Sequence, residues 1–133
     1  MRSVLLGAQE TYVNYNVDDK HWGLIRVHSQ FKRCEIFDST GHLKKKHGRE
    51  LLNGYELLTG VDTSDWAVVV YESSASGMAQ QKDGKSCGVF ACITAAHLLH
   101  DAKLPDIQSK VVLWRRHIAA RIQTMPVVVV IRI

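Results

Sequence analysis

A cysteine, a histidine and an aspartate occupy positions from which they could carry out nucleophilic catalysis. Cys87 follows a polar, glycine-containing loop and opens the apolar stretch Cys87–Leu99, in which Phe90 and Ile93 have helical spacing. The N-terminus of a helix stabilises a thiolate, the nucleophilic form of cysteine, through its unpaired N–H groups and its positive dipole end. We therefore predict that Cys87 is a nucleophile, and the alternative is a small buried hydrophobic residue.

Two β-rich runs separated by a short polar break predict a hairpin, formed by residues 21–28 and 32–38. A turn centred on the Ser-Gln dipeptide of that break would place His21 directly opposite Asp38. The same register puts both residues on a largely apolar face, which we expect to receive the Cys87 helix. Asp38 would then orient the imidazole, and His21 would deprotonate Cys87 and later protonate the leaving amine.

The developing oxyanion of acyl transfer also needs hydrogen-bond donors. Gln81 lies six residues before Cys87, and its side-chain amide is the predicted donor beside the backbone N–H of Cys87. Gln80 is the second choice, and a solvated loop residue is the alternative interpretation.

The sequence pattern does not place a catalytic partner beside any of the other cysteines or histidines. Cys34, inside a strand, and Cys92, within the apolar helix, are predicted to serve in core packing. The remaining histidines are expected on the surface or on helix faces; they are His28, His42, His47, His97, His100 and His117.

Alternation and helical periodicity predict the elements around these residues, and strands and helices both occur, as in an α+β fold. Strands are expected at 10–17 and 66–71, the second of them buried. A short helix interrupted by Gly54 is expected at 49–58 and a second one at 107–122, while the terminal VVVVIRI reads as a strand.

Composition narrows the class of protein. With 133 residues and 46% hydrophobic content, the chain has material for one core and one domain. The first residues lack the apolar length of a signal peptide or a membrane span, so we expect an intracellular protein. Three cysteines with no CxxC pair predict reduced thiols and no metal site.

The net charge of +4 is partly concentrated in a basic cluster, Lys44, Lys45, Lys46, His47 and Arg49. No aromatic residues are interleaved with this cluster and no nucleic-acid-binding motif surrounds it. We therefore interpret it as a solvated surface loop, and nucleic acid is not an expected partner.

With these residues assembled, the chain resembles the SUMO-specific and ubiquitin-like-protein-specific cysteine proteases, the Ulp-type or sentrin-specific protease family. The resemblance rests on the ordered set His21-Trp22, Asp38-Ser39, Gln81 and Cys87-Gly88. It implies that His21, Asp38 and Cys87 form the catalytic triad and that Gln81 donates to the oxyanion. It also implies that Trp22 walls a narrow channel for the Gly-Gly tail of a ubiquitin-like protein, whereas a core tryptophan is the alternative.

The resemblance implies an α+β fold of the papain-like type, with the central sheet packed against the Cys87 helix. Because family catalytic domains usually carry a further N-terminal segment, we expect residues 1–133 to form a single, N-terminally truncated catalytic domain. The implied function is thiol hydrolysis of the C-terminal Gly-Gly linkage of SUMO or another ubiquitin-like modifier, without a cofactor.

Two alternatives remain at this stage. Viral maturation proteases and bacterial effector acetyltransferases use a related order of histidine, acid and cysteine, so the same triad could serve another acceptor. A module that has lost catalysis and only binds a ubiquitin-like partner is the non-enzymatic alternative.

Overall fold

A computed structural model of the chain describes residues 2–17, 20–71 and 87–99, together with Val112 and Arg116. In this part of the chain a four-stranded sheet is accompanied by three helices. In chain order the elements are α1 (Arg2–Gly7), β1 (Glu10–Val17), β2 (His21–His28), β3 (Arg33–Phe37), α2 (Lys45–Thr59), β4 (Ala67–Tyr71) and α3 (Cys87–Leu99). Val112 and Arg116 are helical. The rest of the predicted helix at 107–122 and the VVVVIRI tail lie outside the described residues.

The sheet is mixed, with the strands in the order β1-β2-β3-β4. The first two pairings are antiparallel, whereas β3 and β4 are parallel and α2 forms the connection between them. A parallel pair needs such a crossover because a tight turn can join only antiparallel neighbours. This combination confirms the predicted α+β class.

The β2–β3 hairpin has a different register from the predicted one. His28 pairs with Arg33 and Leu24 with Phe37, so a four-residue connection replaces the two-residue turn expected at positions 29 and 30. Lys32 closes this connection in the left-handed region, with a φ of 51°. The register is shifted by two residues, and because side chains alternate with a period of two, each residue keeps its predicted face.

The sheet buries a different helix on each face. Ile25, Cys34 and Ile36 pack with Leu51 and Leu52 of α2. On the opposite face, Leu24 and Phe37 pack with Ala91 of α3. The prediction that the Cys87 helix covers the face of Ile25 and Ile36 was therefore wrong. Both faces of β2 are apolar, as in a central strand, so the sequence pattern alone did not show which helix covers which face.

A partly buried ion pair crosses the strands on the α3 side of the sheet. Arg26 donates from Nε and Nη2 to the two carboxylate oxygens of Glu35, at 3.1 Å each, and the Tyr71 hydroxyl donates to Glu35 at 3.2 Å. The Arg26 guanidinium also lies 5.6 Å from the centre of the Phe37 ring. Such paired, bidentate contacts satisfy charges that would be costly to bury alone. They join β2, β3 and β4 beneath α3.

Helix α2 is longer than predicted and continuous. It begins at Lys45, inside the expected loop, and runs through Gly54 without a break. It ends at Gly60, which adopts a φ of 76° and donates its N–H to Glu56 O at 2.7 Å. A left-handed glycine cap of this kind ends many helices because glycine has no Cβ to clash. Strand β4, predicted to be buried, lies at one edge of the sheet that the described residues form and is mostly half-buried.

Candidate active site

A histidine and an aspartate form a buried pair at one end of the β2–β3 hairpin. His21 is the first residue of β2 and Asp38 follows the last residue of β3. The Nε2 atom of His21 lies 2.6 Å from Oδ1 of Asp38, and Asp38 has no exposed surface. The shifted register makes the two residues diagonal rather than directly opposite. They still meet, because they share one face and the Asp38 backbone has left the strand.

The Asp38 carboxylate is held from several directions by the loop that follows it. Its Oδ1 accepts the backbone N–H of Thr40 at 3.0 Å, and its Oδ2 accepts the backbone N–H of Leu43 at 2.6 Å. Burial by itself would raise the pKa of this carboxyl group, but the N–H groups of Leu43 and Thr40 and the His21 ring lower it below the usual value. Asp38 is thus an ionised, oriented acceptor for the imidazole.

The loop is anchored by the side chain of Leu43, which is fully buried in the core beneath β2. A Cβ added at Gly23 would clash with Leu43 Cδ1. Only glycine therefore leaves room for Leu43 at this position of β2. Because the backbone N–H of Leu43 binds Asp38, the missing side chain at Gly23 contributes to the placement of the carboxylate.

We expect Gly23→Ala to lower the free energy of unfolding by about 1–3 kcal/mol, because the new methyl group overpacks against Leu43. Gly54→Ala is the matched control, since a Cβ there meets nothing within 4 Å and the residue lies inside α2. It should raise the free energy of unfolding by about 0.5–1 kcal/mol through helix propensity. Denaturant unfolding measures both values. Equal effects of the two substitutions would contradict the close approach at Gly23.

The hydrogen bond to Asp38 decides which ring nitrogen of His21 is left for a reacting group. Asp38 engages Nε2, so Nδ1 is the nitrogen that can accept a proton from a nucleophile. Helix α3 begins at Cys87, as predicted, and packs against β2, the strand that begins with His21. The side chain of Cys87 and all of Gln81 lie outside the described residues.

The two other cysteines have contrasting environments. Cys34 is fully buried against α2, and burial raises the pKa of its thiol to about 12, so the thiolate is strongly disfavoured. Cys34 therefore fits its predicted role in the core. Cys92 is exposed, which contradicts the prediction that it packs in the core. Ala91, Ala95 and Leu98 of α3 pack with Leu24 and Phe37 of the sheet, and Cys92 is not among them.

The remaining histidines do not all lie on the surface as predicted. His28 is only 9% exposed, with Nε2 3.2 Å from Glu10 and its ring against Phe31. Its position at the end of a central strand explains the burial.

His42 is exposed, but its ring centre lies 4.9 Å from that of His21. His47 and His97 are partly exposed on α2 and α3, and His100 and His117 lie outside the described residues.

Trp22 follows His21 in β2 and pairs with Asn16 of β1. It is half-buried, so it is neither a fully enclosed core residue nor a free surface residue. This environment is compatible with either interpretation drawn from the sequence.

Two residues near the pair were missed by the reasoning from sequence. The Thr40 hydroxyl lies 3.1 Å from His21 Nε2, 3.2 Å from Asp38 Oδ1 and 2.5 Å from His42 Nδ1. The available signal was the spacing Asp-Ser-Thr, because an aspartate commonly accepts the backbone N–H two residues later. That local turn brings Thr40, and with it His42, back to His21.

The chain is similar in sequence and in fold to known proteins. Residues 10–129 match the family described as the Ulp1 protease family, C-terminal catalytic domain. Among solved structures, the Ulp1 protease domain in complex with Smt3, the yeast orthologue of SUMO, superposes with a TM-score of 0.69 at 22% identity. A SUMO protease Ulp1 with its catalytic cysteine oxidised to a sulfonic acid gives 0.71 at 20% identity. No curated protein matches the chain.

These likenesses define the fold as the α+β, papain-like type of cysteine protease. The chain belongs to the Ulp1 protease family, and its matching part is the C-terminal catalytic domain. The predicted family resemblance is thereby confirmed.

The structural matches cover a larger share of this chain than of the solved structures. The two Ulp1 comparisons each include 87% of this chain but only 52% and 53% of the other chain. The Ulp1-like SUMO protease catalytic domain of Chaetomium thermophilum gives a TM-score of 0.61 at 17% identity, over 79% of this chain and 41% of that one. The chain thus spans about half the length of the structures it resembles. In the described part of the chain, no helix has the length and hydropathy needed to cross a membrane.

Proposed function

We propose that the protein is a cysteine-type peptidase that hydrolyses the C-terminal Gly-Gly linkage of SUMO or another ubiquitin-like modifier. The observation that carries this proposal is the buried contact between His21 and Asp38 at the end of the hairpin whose other face receives the Cys87 helix. Membership of the Ulp1 protease family supports the same reaction. The similar yeast domain was solved in complex with the SUMO orthologue Smt3, which supports SUMO as the partner.

In the proposed mechanism Asp38 accepts the Nε2–H of His21 and fixes the tautomer whose free lone pair lies on Nδ1. Nδ1 then takes the proton of the Cys87 thiol, and the thiolate attacks the carbonyl carbon of the terminal glycine. The same imidazole returns the proton to the departing amine, and water releases the acyl group. Gln81 and the backbone N–H of Cys87 are the proposed donors to the oxyanion.

Helical periodicity favours Cys87 over Cys92 as the nucleophile. Position 87 precedes Ala91, which packs on the sheet, by four residues, so helical spacing puts it on the same side of α3. Position 92 belongs to the exposed side. Cys87 is also the first residue of α3, where the helix dipole stabilises a thiolate.

We assign Trp22 to the substrate channel, because a half-buried aromatic next to the base can exclude residues with side chains and admit Gly-Gly. A thiol nucleophile must stay reduced, and the two cysteines whose side chains the structure describes, Cys34 and Cys92, are free. We therefore place the activity in the nucleus or cytoplasm.

An activity-based probe tests the proposed function. A SUMO protein with an electrophile at its C-terminus should label the parent chain covalently, and a ubiquitin probe run beside it reports the choice of modifier. Cys87→Ser should abolish labelling, whereas Cys92→Ser, the matched control on the same helix, should retain it. Equal labelling of the two variants would refute Cys87 as the nucleophile.

The same preparation separates the alternatives. Cleavage of unrelated peptides, or acetyl transfer from an acetyl donor, without labelling by either modifier probe would favour another acceptor for the triad. Binding of SUMO that survives Cys87→Ala, with no turnover by the parent chain, would favour a module that only binds.

A further inference from the structure

A second histidine completes a cluster of metal-binding side chains at the His21–Asp38 pair. One ligand atom from each of His21, Asp38 and His42 can be chosen so that all three lie within 4.8 Å of one another. Asp38 and His21 are buried, whereas His42 is exposed and gives the cluster an opening to solvent. The catalytic mechanism proposed above makes no use of His42.

The three residues are also held for ligation by their neighbours. Both Asp38 oxygens accept backbone N–H groups, from Thr40 and from Leu43, and these contacts fix the direction of the carboxylate. The Thr40 hydroxyl lies 2.5 Å from His42 Nδ1, 3.1 Å from His21 Nε2 and 3.2 Å from Asp38 Oδ1, so it shares the space between the three side chains and must turn aside when a metal enters. Outer contacts that orient the first ligands are a regular feature of protein metal sites.

We propose that His21, Asp38 and His42 form a site for a divalent transition metal, of which Zn²⁺ fits best. Two imidazole nitrogens and one carboxylate oxygen are a common donor set for zinc, with water as the fourth ligand. Bonds of about 2.0–2.1 Å in a tetrahedron separate the ligand atoms by roughly 3.3 Å. His21 Nε2 and Asp38 Oδ1, now 2.6 Å apart, must separate slightly, and the exposed ring of His42 must move inwards.

A metal bound to His21 would prevent this histidine from acting as the base. Zinc takes the lone pair of His21 Nε2, so the single proton of the neutral ring must lie on Nδ1. Nδ1 then has no lone pair with which to accept the thiol proton, and the metal inhibits the enzyme without touching the nucleophile. Inhibition rests on the proposed function, whereas zinc binding does not.

The test measures zinc binding by the intact chain in competition with a chromophoric chelator. The parent chain should bind one equivalent, and His42→Ala should weaken the affinity at least about tenfold, since a lost ligand costs no less than a lost outer contact. His47→Gln is a matched control, because this partly exposed histidine follows His42 by five residues and is not part of the cluster. It should keep the parent affinity, and so should Cys87→Ser.

Cobalt substitution gives a second measurement. The Co²⁺ spectrum of the parent should be that of a site with nitrogen and oxygen ligands and should lack a thiolate-to-metal charge-transfer band. That band, loss of binding in Cys87→Ser, or parent-like affinity in His42→Ala would each overturn the site. Zinc should also block labelling by the SUMO probe, and EDTA should restore it. If the parent is not labelled even without zinc, the proposed function fails, and the chelator and cobalt measurements still decide the metal site.

Discussion

Asp38→Asn is expected to lower turnover of a SUMO precursor by about 10³–10⁴-fold. The Asp38 carboxylate accepts one backbone N–H on each oxygen, and an amide has only one oxygen with which to do so. If that oxygen stays with Leu43, the new NH₂ group faces His21 Nε2 and donates to it. The ring proton must then lie on Nδ1, and the base is lost. Steady-state kinetics of purified variants measure the effect.

Asp62→Asn is the matched control for this substitution. Asp62 is exposed and accepts the backbone N–H of Ser64, the residue two positions later, as Asp38 does with Thr40. Asp62→Asn also replaces a carboxylate by an amide, but Asp62 lies outside the site. Turnover by this variant should therefore equal that of the parent. Turnover of Asp38→Asn within tenfold of the parent would contradict the proposed role of the carboxylate.

The lowered pKa of Asp38 also predicts how the same variant behaves with pH. A carboxyl group whose pKa is lower in the folded state stabilises the fold at every pH above its unfolded value of about 3.9, and this contribution is lost as the pH falls through the folded value. The parent should therefore exceed Asp38→Asn in unfolding free energy at pH 7, and the difference should shrink below about pH 4. Denaturant unfolding across this range measures it, and a difference that grows in acid would contradict the direction of the shift.

Leu52→Ala is expected to lower the free energy of unfolding by about 2–5 kcal/mol, a large fraction of the stability of a small domain. Leu52 has no exposed surface and packs between α2 and the sheet, so its removal leaves a cavity in the core. Leu57→Ala on the same helix is the matched control. Leu57 is 88% exposed, and its truncation should change stability by less than about 0.5 kcal/mol. Similar losses in both variants would contradict the assignment of the two faces of α2.

The pairing of His21 with Asp38 shows what a sequence pattern can and cannot provide. His21 begins one β-rich run and Asp38 ends the next, and the period of two assigned them to one face whichever of the two registers formed. The register itself depended on the connection at 29–32, where Lys32 adopts a left-handed conformation. Residues other than glycine, asparagine and aspartate enter that region rarely, so no sequence signal marked it.

The packing of α3 illustrates a second limit. The stretch from Cys87 is apolar nearly all round, so periodicity predicted the helix but not which of its sides is buried, and Cys92 was assigned to the core. The sequence also did not indicate which face of the sheet α3 covers, because Leu24 and Ile25, on opposite faces, are both fully buried. Tertiary packing also overrode the propensity of Gly54, which lies inside a continuous helix.

The cluster around Asp38 was missed for a different reason. Thr40 and His42 reach His21 through a local turn of the loop; the Asp-Ser-Thr spacing indicates that turn but not which side chains it brings to His21. Leu43 was equally inconspicuous, although its backbone N–H holds Asp38 and its side chain fills the space that Gly23 leaves.

The proposed base and its proposed orienting acid are carried by a single hairpin and are only 17 positions apart in the chain. Hairpins form within about 1–10 μs, and protein synthesis adds only about 5–20 residues each second. The proposed nucleophile belongs to a segment that is translated after this hairpin and after α2 and β4. On the ribosome, imidazole and carboxylate can therefore meet before the thiol exists, and the nascent chain has no complete reactive centre until α3 emerges.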